Sequence, residues 1–209
     1  MATLADMLVS AADMEVATAH DVDALATMLS DAFATDPMVR WPMPTASHDA
    51  IREQFRAILR WYVPLGVVWK IDNCRGAAAW LPPSKTDRLT EIEPGIRSDI
   101  ASLTSDGGAR YSKFWDWLGT HAPDEPCWLL DLVGVSPEAQ GQGLGQRLVT
   151  HGLERARAMG CSAFLETGNE RNVAYYQSLG FRTVDQEQAP DDGPVIWFMQ
   201  TAQAQLSSR

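Results

Sequence analysis

The chain has 209 residues, 45% of them hydrophobic, and a formal net charge of −10 from 27 acidic and 17 basic side chains. That is enough apolar material for one good-sized core, and the negative field disfavours nonspecific attachment to nucleic acid or anionic lipid, whose phosphates it repels. The longest apolar stretches, such as Trp61–Trp69 and Trp128–Val135, fall well short of the roughly 20 residues a membrane-spanning helix needs.

Residues 1–12 read as a loose N-terminal tail, and 13–205 as a single domain. The acidic Asp6 and Asp13 stand where a secretory leader would be basic. Cys74, Cys127 and Cys161 are odd in number, far apart and without a Cys-x-x-Cys pair. Neither a disulfide framework nor a zinc site follows from them, and a reducing, cytoplasmic setting is expected. Met14–Ala19 alternates like a short strand. Asp21–Phe33 places Val22, Leu25, Met28, Leu29 and Phe33 at helical spacing, and Asp36-Pro37 ends the run. Ser47 is a plausible N-cap for a second helix with Ile51, Phe55, Ile58, Leu59 and Tyr62 on one side, closed by Pro64-Leu65-Gly66.

Val67–Ile71 and Gly76–Leu81 read as strands joined through Asp72-Asn73, with Pro82-Pro83 stopping the second. From Leu89 to His121 the pattern is helical, with breaks expected at Pro94-Gly95 and Gly107-Gly108. The aromatic bunch Tyr111, Phe114, Trp115 and Trp117 reads as core or pocket wall. Trp128–Val135 is a nearly continuous apolar strand. It leads through a glycine-rich turn into a helix with Leu144, Leu148, Gly152, Ala156 and Met159 on its inner face, stopped by Gly160. Ala163–Thr167 is a strand, Asn172–Leu179 a short helix, and Thr183–Gln188 and Val195–Thr201 closing strands around Asp192-Gly193-Pro194. The predicted class is mixed α/β, with a strand, crossover helix and strand at its centre. No internal repeat is visible.

The turn Gln140-Gly141-Gln142-Gly143-Leu144-Gly145 joins a buried strand directly to a helix. Glycines there permit φ > 0 and close backbone approach to an anion, and the helix adds the positive end of its dipole. A P-loop requires Lys and Ser/Thr after the last glycine, where Gln146-Arg147 stands. A dinucleotide fingerprint requires Gly-x-Gly-x-x-Gly; Glu166 is suitably placed for its acidic partner, but the spacing here is Gly-x-Gly-x-Gly. A tight turn with no ligand is the bland alternative. Four histidines, His20, His48, His121 and His151, show no metal-ligand spacing, so no metal is expected. No Gly-x-Ser-x-Gly elbow points to a serine hydrolase.

Gln140, Gly143 and Gly145 match the Gln/Arg-x-x-Gly-x-Gly/Ala loop of the GNAT superfamily of N-acyltransferases. Leu132–Pro137 before the loop resembles that family's bulged fourth strand, and Asn172–Phe181 resembles its Asn-x-x-x-Tyr-x-x-x-Gly-Phe segment. Within the superfamily, Glu125–Met199 especially resembles the puromycin-acetylating members. The resemblance implies a GNAT fold with a mixed sheet of about seven strands. It also implies acetyl-CoA as co-substrate, bound where the fourth and fifth strands splay. The implied coenzyme contacts are Val133, Gly134, Val135, Gln140, Gly141, Gln142, Gly143, Leu144, Gly145, Gln146, Asn172 and Tyr176. A backbone N–H at Val133 or its neighbour would polarise the thioester carbonyl. Tyr176 would protonate the departing thiolate, with Tyr175 at an apolar core position.

A carboxylate among apolar strand residues is costly unless paired, so Asp131 and Glu166 are both candidates for the general base. Arg147, Arg155 and Arg157 are candidates for a 3′-phosphate contact or a solvated helix face. The expected activity is transfer of an acetyl group to a primary amine of a small molecule by direct attack on the thioester. The alternatives are a peptide or protein amine as acceptor, or a non-catalytic acyl-CoA-binding module. A monomer and a homodimer are equally compatible with the sequence.

Overall fold

The computed structural model describes residues 14–203; the expected N-terminal tail lies outside them. One seven-stranded sheet has the order β1-β2-β3-β4-β5-β7-β6. Its strands are β1 (Met14–Val16), β2 (Val68–Ile71), β3 (Gly76–Leu81), β4 (Cys127–Val135), β5 (Ser162–Thr167), β6 (Phe181–Gln188) and β7 (Val195–Thr201). Neighbours pair antiparallel except β4 with β5. This parallel junction is bridged by the crossover helix α6 (Leu144–Ala158), as a parallel pair requires. The result is a mixed α/β architecture with helices on both faces, as the resemblance implied.

One face carries α1 (Val22–Ala32) and α3 (His48–Tyr62), and above them α4 (Pro83–Ala101) and α5 (Ala109–Gly119). The short α2 (Pro37–Arg40) begins at a proline, and its N-cap Asp36 accepts a 2.8 Å bond from the Met38 N–H. The other face is covered by α6, joined at its edge by α7 (Glu170–Ser178). Ser47 caps α3, accepting from the Ala50 N–H at 3.1 Å, and the anticipated face of that helix is buried at Ile51, Phe55, Ile58, Leu59 and Tyr62. Gly66, at φ 69, ends the 3-10 turn that follows.

Three expectations are corrected. Pro94-Gly95 does not break α4, although an internal proline forfeits a helical hydrogen bond. Ile92, Ile96 and Ile100, at helical spacing, are all buried in the core and hold the helix down. Gly95 has a separate use, since a Cβ there would lie 2.3 Å from the Trp61 ring. The helix also starts at Pro83, not Leu89, because proline suits a first helical position. Met159 is 53% exposed, not part of the inner face of α6, because it lies beyond the last helical turn as the C-cap. The rest of that face is buried, and Gly152 sits against Trp80, whose Nε1 donates to the Leu148 carbonyl at 3.1 Å.

The decisive irregularity is in β4. Ala79 pairs with Leu132 and Trp80 with Leu130, leaving Asp131 as an extra residue on the β4 side. A bulge of this kind reverses which face each later side chain meets. Trp128 and Leu130 pack in the α6-side core, whereas Leu132 packs in the α1/α3-side core. Beyond the bulge Val133 and Val135 return to the α6 side. Gly134 faces α1, where a Cβ would lie 2.7 Å from Leu29.

Candidate active site

β4 and β5 are paired only over Cys127–Leu129 and Ser162–Phe164. Beyond Leu129 the two strands part, and the bulged Asp131 lies just past that point. The opening leads into a cleft of about 650 Å³ between the end of β4, the head of α6 and α7. Val133, Gly134, Val135, Gln140, Gly141, Gly143, Leu144, Gly145, Gln146, Asn172 and Tyr176 all line it. Of the residues implied for coenzyme contact, Gln142 alone is not in the lining; its Nε2 donates to the Glu138 carbonyl at 3.3 Å.

Gly141 and Gly143 have φ 77 and 80, with nothing within 4 Å of a Cβ built on either. Their need for glycine is therefore conformational. Gly143 is the N-cap of α6, whose Arg147 N–H donates to the Gly143 carbonyl at 3.1 Å. The N–H groups of the first turn precede the intrahelical ladder and face no backbone acceptor of their own helix. Together with the dipole of a 15-residue helix, they suit an anion such as a pyrophosphate. The Gln140 amide donates to the Val135 carbonyl at 3.3 Å and ties the loop to the strand end.

Tyr176 is 7% exposed and lines both this cleft and a smaller chamber of about 100 Å³ behind it. Burial, followed by the nearby Tyr175 and Asp36, holds its phenol well above the usual range, so it is protonated at neutral pH. Tyr175 is not the core residue expected. It is 36% exposed and lines the cleft, because the short α7 turns only one of two consecutive positions inward.

The chamber brings Asp131 and Glu166 together. Both keep some accessible surface, as side chains lining a cavity do. Desolvation, and secondarily the charge of Asp131, pushes Glu166 up to about 8. Desolvation likewise raises Asp131 to about 6, opposed by a hydrogen bond from the Tyr62 phenol. Adjacent carboxyls in a poorly solvated site resist double ionisation, so the pair can hold one proton near neutrality.

Several lining residues have no counterpart in the sequence reading. Asp36 borders both spaces, its carboxyl raised by burial against two backbone hydrogen bonds. The only sequence signal was a capping residue before a four-residue helix. Gln54 is 2% exposed, lines the chamber and has no hydrogen-bond partner at Oε1; the signal was an amide within the apolar stripe of α3. Phe33, Thr35 and Asn169 complete the cleft. The arginine alternatives divide: Arg155 lies over the Trp69 ring at 4.6 Å, and Arg157 is exposed. His48 pairs with Asp31 at 2.9 Å. Among the described residues one cluster has metal-ligand proximity, His121 with Asp185 and Glu187, within 4.8 Å of one another. The strand register of β6 creates it, and linear spacing could not reveal it.

Residues 106–181 match the model of the acetyltransferase (GNAT) family. An uncharacterized N-acetyltransferase of Schizosaccharomyces pombe is 26% identical over 176 residues, covering 78% of this chain and 71% of that protein. The mycothiol acetyltransferase of Nocardiopsis dassonvillei is 37% identical over 119 residues, 50% of this chain; the match spans 35% of that protein's length. The solved structure of histone acetyltransferase HPA2 and related acetyltransferase from Corynebacterium glutamicum has the same fold. Its TM-score is 0.67 at 23% identity, over 94% of this chain and 98% of that one. Splayed strands, crossover helix and the structural match define the GNAT acetyltransferase fold, and the family match falls on the segment that carries the cleft. The relatives that match the chain in sequence carry the name N-acetyltransferase or mycothiol acetyltransferase.

Proposed function

We propose that the enzyme transfers an acetyl group from acetyl-CoA to a primary amine of a small molecule, by direct attack of the amine on the thioester. One observation carries this reading: Tyr176 stands between the glycine-headed cleft and a chamber where Asp131 and Glu166 meet. Acyl transfer to an amine needs a neutral nucleophile, a stabilised oxyanion and a proton for the leaving thiolate, and the residues present divide along those needs.

The first turn of α6 with Gly141 and Gly143 holds the pyrophosphate, while Val133–Val135 run beside the pantetheine. An ammonium arriving in the chamber gives a proton to the ionised member of the Asp131–Glu166 pair, directly or through water. The free amine nitrogen then attacks the carbonyl carbon, and the oxyanion that forms is met by a backbone N–H at Val133 or its neighbour. The C–S bond breaks as Tyr176 Oη delivers its proton to sulfur, and the second proton that nitrogen sheds on becoming an amide returns, directly or through water, to the Tyr176 oxygen. Products are the amide and free coenzyme thiol, and the proton on the carboxyl pair returns to solvent.

The cleft volume suits a large, elongated co-substrate, and the positive-φ glycines leave open space where a side chain would intrude. A non-catalytic acyl-CoA-binding module would have no use for a buried phenol beside two carboxyls of raised pKa. Three unpaired thiols fit a cytoplasmic setting, and among the described residues no helix is long and apolar enough to cross a membrane. The test is release of free thiol from acetyl-CoA with a panel of primary amines. Turnover with at least one small amine is expected; coenzyme binding without turnover on any amine or peptide would overturn the reading.

A further inference from the structure

Behind the chamber lies a second cavity of about 240 Å³, and the two share Ile58, Trp115, Asp131 and Glu166. The carboxyl pair thus stands between the chamber and the rear cavity, while Val133 and Tyr176 border both the chamber and the coenzyme cleft. The rear cavity is walled by α3, α4, α5 and β4, chiefly by apolar and aromatic side chains including Leu89, Ile96, Tyr111 and Leu118. An apolar cavity of about 150 Å³ accommodates benzene. The space here exceeds that by enough for a short alkyl arm.

Polar groups are concentrated at the chamber end. Gln54 is the informative one, since a buried acceptor left unpaired is destabilising and a donor entering the chamber would relieve it. The Tyr111 phenol is a hydrogen-bond partner of the Gln54 amide, and Oε1 remains without one. The other charged lining groups of the rear cavity are Glu93 and Arg97. They are already engaged with each other, and Arg97 also binds Asp116 at 2.7 Å and the Ser112 carbonyl at 3.1 Å. A second cation at that end would find its nearest carboxylate committed and a guanidinium beside it.

We propose that the acceptor is a monoamine with an apolar body about the size of one six-membered ring on a two- or three-carbon arm. Its ammonium is received by Gln54 with Asp131 and Glu166, and its body fills the rear cavity. This rests on the transferase reading above and narrows its substrate class; diamines and polyamines are excluded.

The test compares ethylamine, hexylamine, 2-phenylethylamine and hexane-1,6-diamine, by thiol release from acetyl-CoA and by calorimetric binding of each amine to the protein saturated with coenzyme A. Each buried methylene contributes about 0.8 kcal/mol, roughly fourfold. Hexylamine and 2-phenylethylamine are therefore expected to exceed both ethylamine and the diamine by about 10- to 100-fold in kcat/KM and in affinity. Equal values, or a preference for the diamine, would overturn the proposal. Stated preference in binding without turnover of any amine would sustain the pocket and defeat the transferase reading. No detectable binding of any of the four amines would defeat the proposal, while the transferase reading stands or falls on thiol release with the wider panel. Ile96→Phe and the half-buried Leu89→Phe each fill the cavity from α4, and the ratio of 2-phenylethylamine to ethylamine should fall at least fivefold in either. An unchanged ratio in folded protein counts against the assignment. Gln54→Leu should raise KM for 2-phenylethylamine about tenfold with coenzyme affinity retained.

Discussion

The two halves of the site are built in different ways. The coenzyme half is a continuous run from β4 through α6 and β5 to α7, in which neighbours in sequence are neighbours in space. The acceptor half is assembled from α1, the Asp36 cap, α3, α4 and α5, brought together only by packing on β4. An anion site made of backbone N–H groups depends on where glycines fall in a short turn. A pocket made of side chains depends on how separate helices dock. The first should therefore fail through single backbone positions, and the second should change gradually through shape.

The largest expected effect is at Gly143. Gly143→Glu combines a strained positive φ with a carboxylate in the cleft, and should weaken acetyl-CoA binding more than 100-fold by calorimetry while the protein stays folded. Undiminished binding would mean that the turn does not hold the pyrophosphate. Next is Tyr176→Phe, expected to lower kcat about 100-fold with near-normal coenzyme affinity, the usual scale for one proton-transfer group. Full turnover would remove the phenol from the reaction.

Asp131→Asn and Glu166→Gln separate base from counter-ion. A base must be ionised to act, so kcat/KM should fall below about pH 8 if Glu166 serves and below about pH 6 if Asp131 does. Replacing the base should lower kcat at least tenfold and abolish that acidic limb, whereas replacing a counter-ion mainly raises KM. If both variants keep the wild-type limb, neither carboxyl is the base.

Gly152→Ala tests packing away from the chemistry. Its Cβ would lie 2.1 Å from the buried Trp80 ring, and overpacking should cost about 1–3 kcal/mol in chemical denaturation. The smallest effect concerns pH and Glu166. Its ordinary value of 4.5 is raised to about 8 in the folded chain, so between those limits the folded state retains a proton that the unfolded state has lost. Stability contributed by that proton falls as pH rises through this window. Glu166→Gln should therefore raise Tm by a few degrees, on the order of 2–4 °C per kcal/mol, at pH 9 and leave it unchanged at pH 4. A lower Tm at pH 9 would show that the ionised carboxylate is well solvated or paired.

Legibility from sequence follows the same division. The strand, glycine turn and crossover helix could be read directly, because their determinants lie within a few residues of one another. The capped, one-sided helix α3 was legible for the same reason, through Ser47 and its apolar stripe. Gln54 was hidden inside that stripe, because its value depends on a cavity formed with Trp115, Asp131 and Glu166, all at least 61 positions further along. Asp36 read as a terminator, and only the fold turns its cap toward Tyr176. The helix through Pro94-Gly95 was missed because local breakers were outweighed by three isoleucines docking on a distant core. Tyr175 was misplaced because which of two adjacent tyrosines turns inward is settled by how α7 sits on β5 and β6.

The extra residue at Asp131 also bears on how this enzyme can be altered. One additional position in β4 lets a single strand present alternate side chains to the acceptor before it and to the coenzyme after it. Deleting Asp131 would remove the bulged carboxyl from the chamber, although it would restore the simple alternation with Val133 and Val135 still toward α6. A one-residue insertion would displace the same pair. The loops between the acceptor helices can vary in length and reshape the rear cavity while β4 stays in phase. New acceptor specificities should thus be reachable through insertions near Gly107 or Ala122, whereas the length of β4 stays fixed.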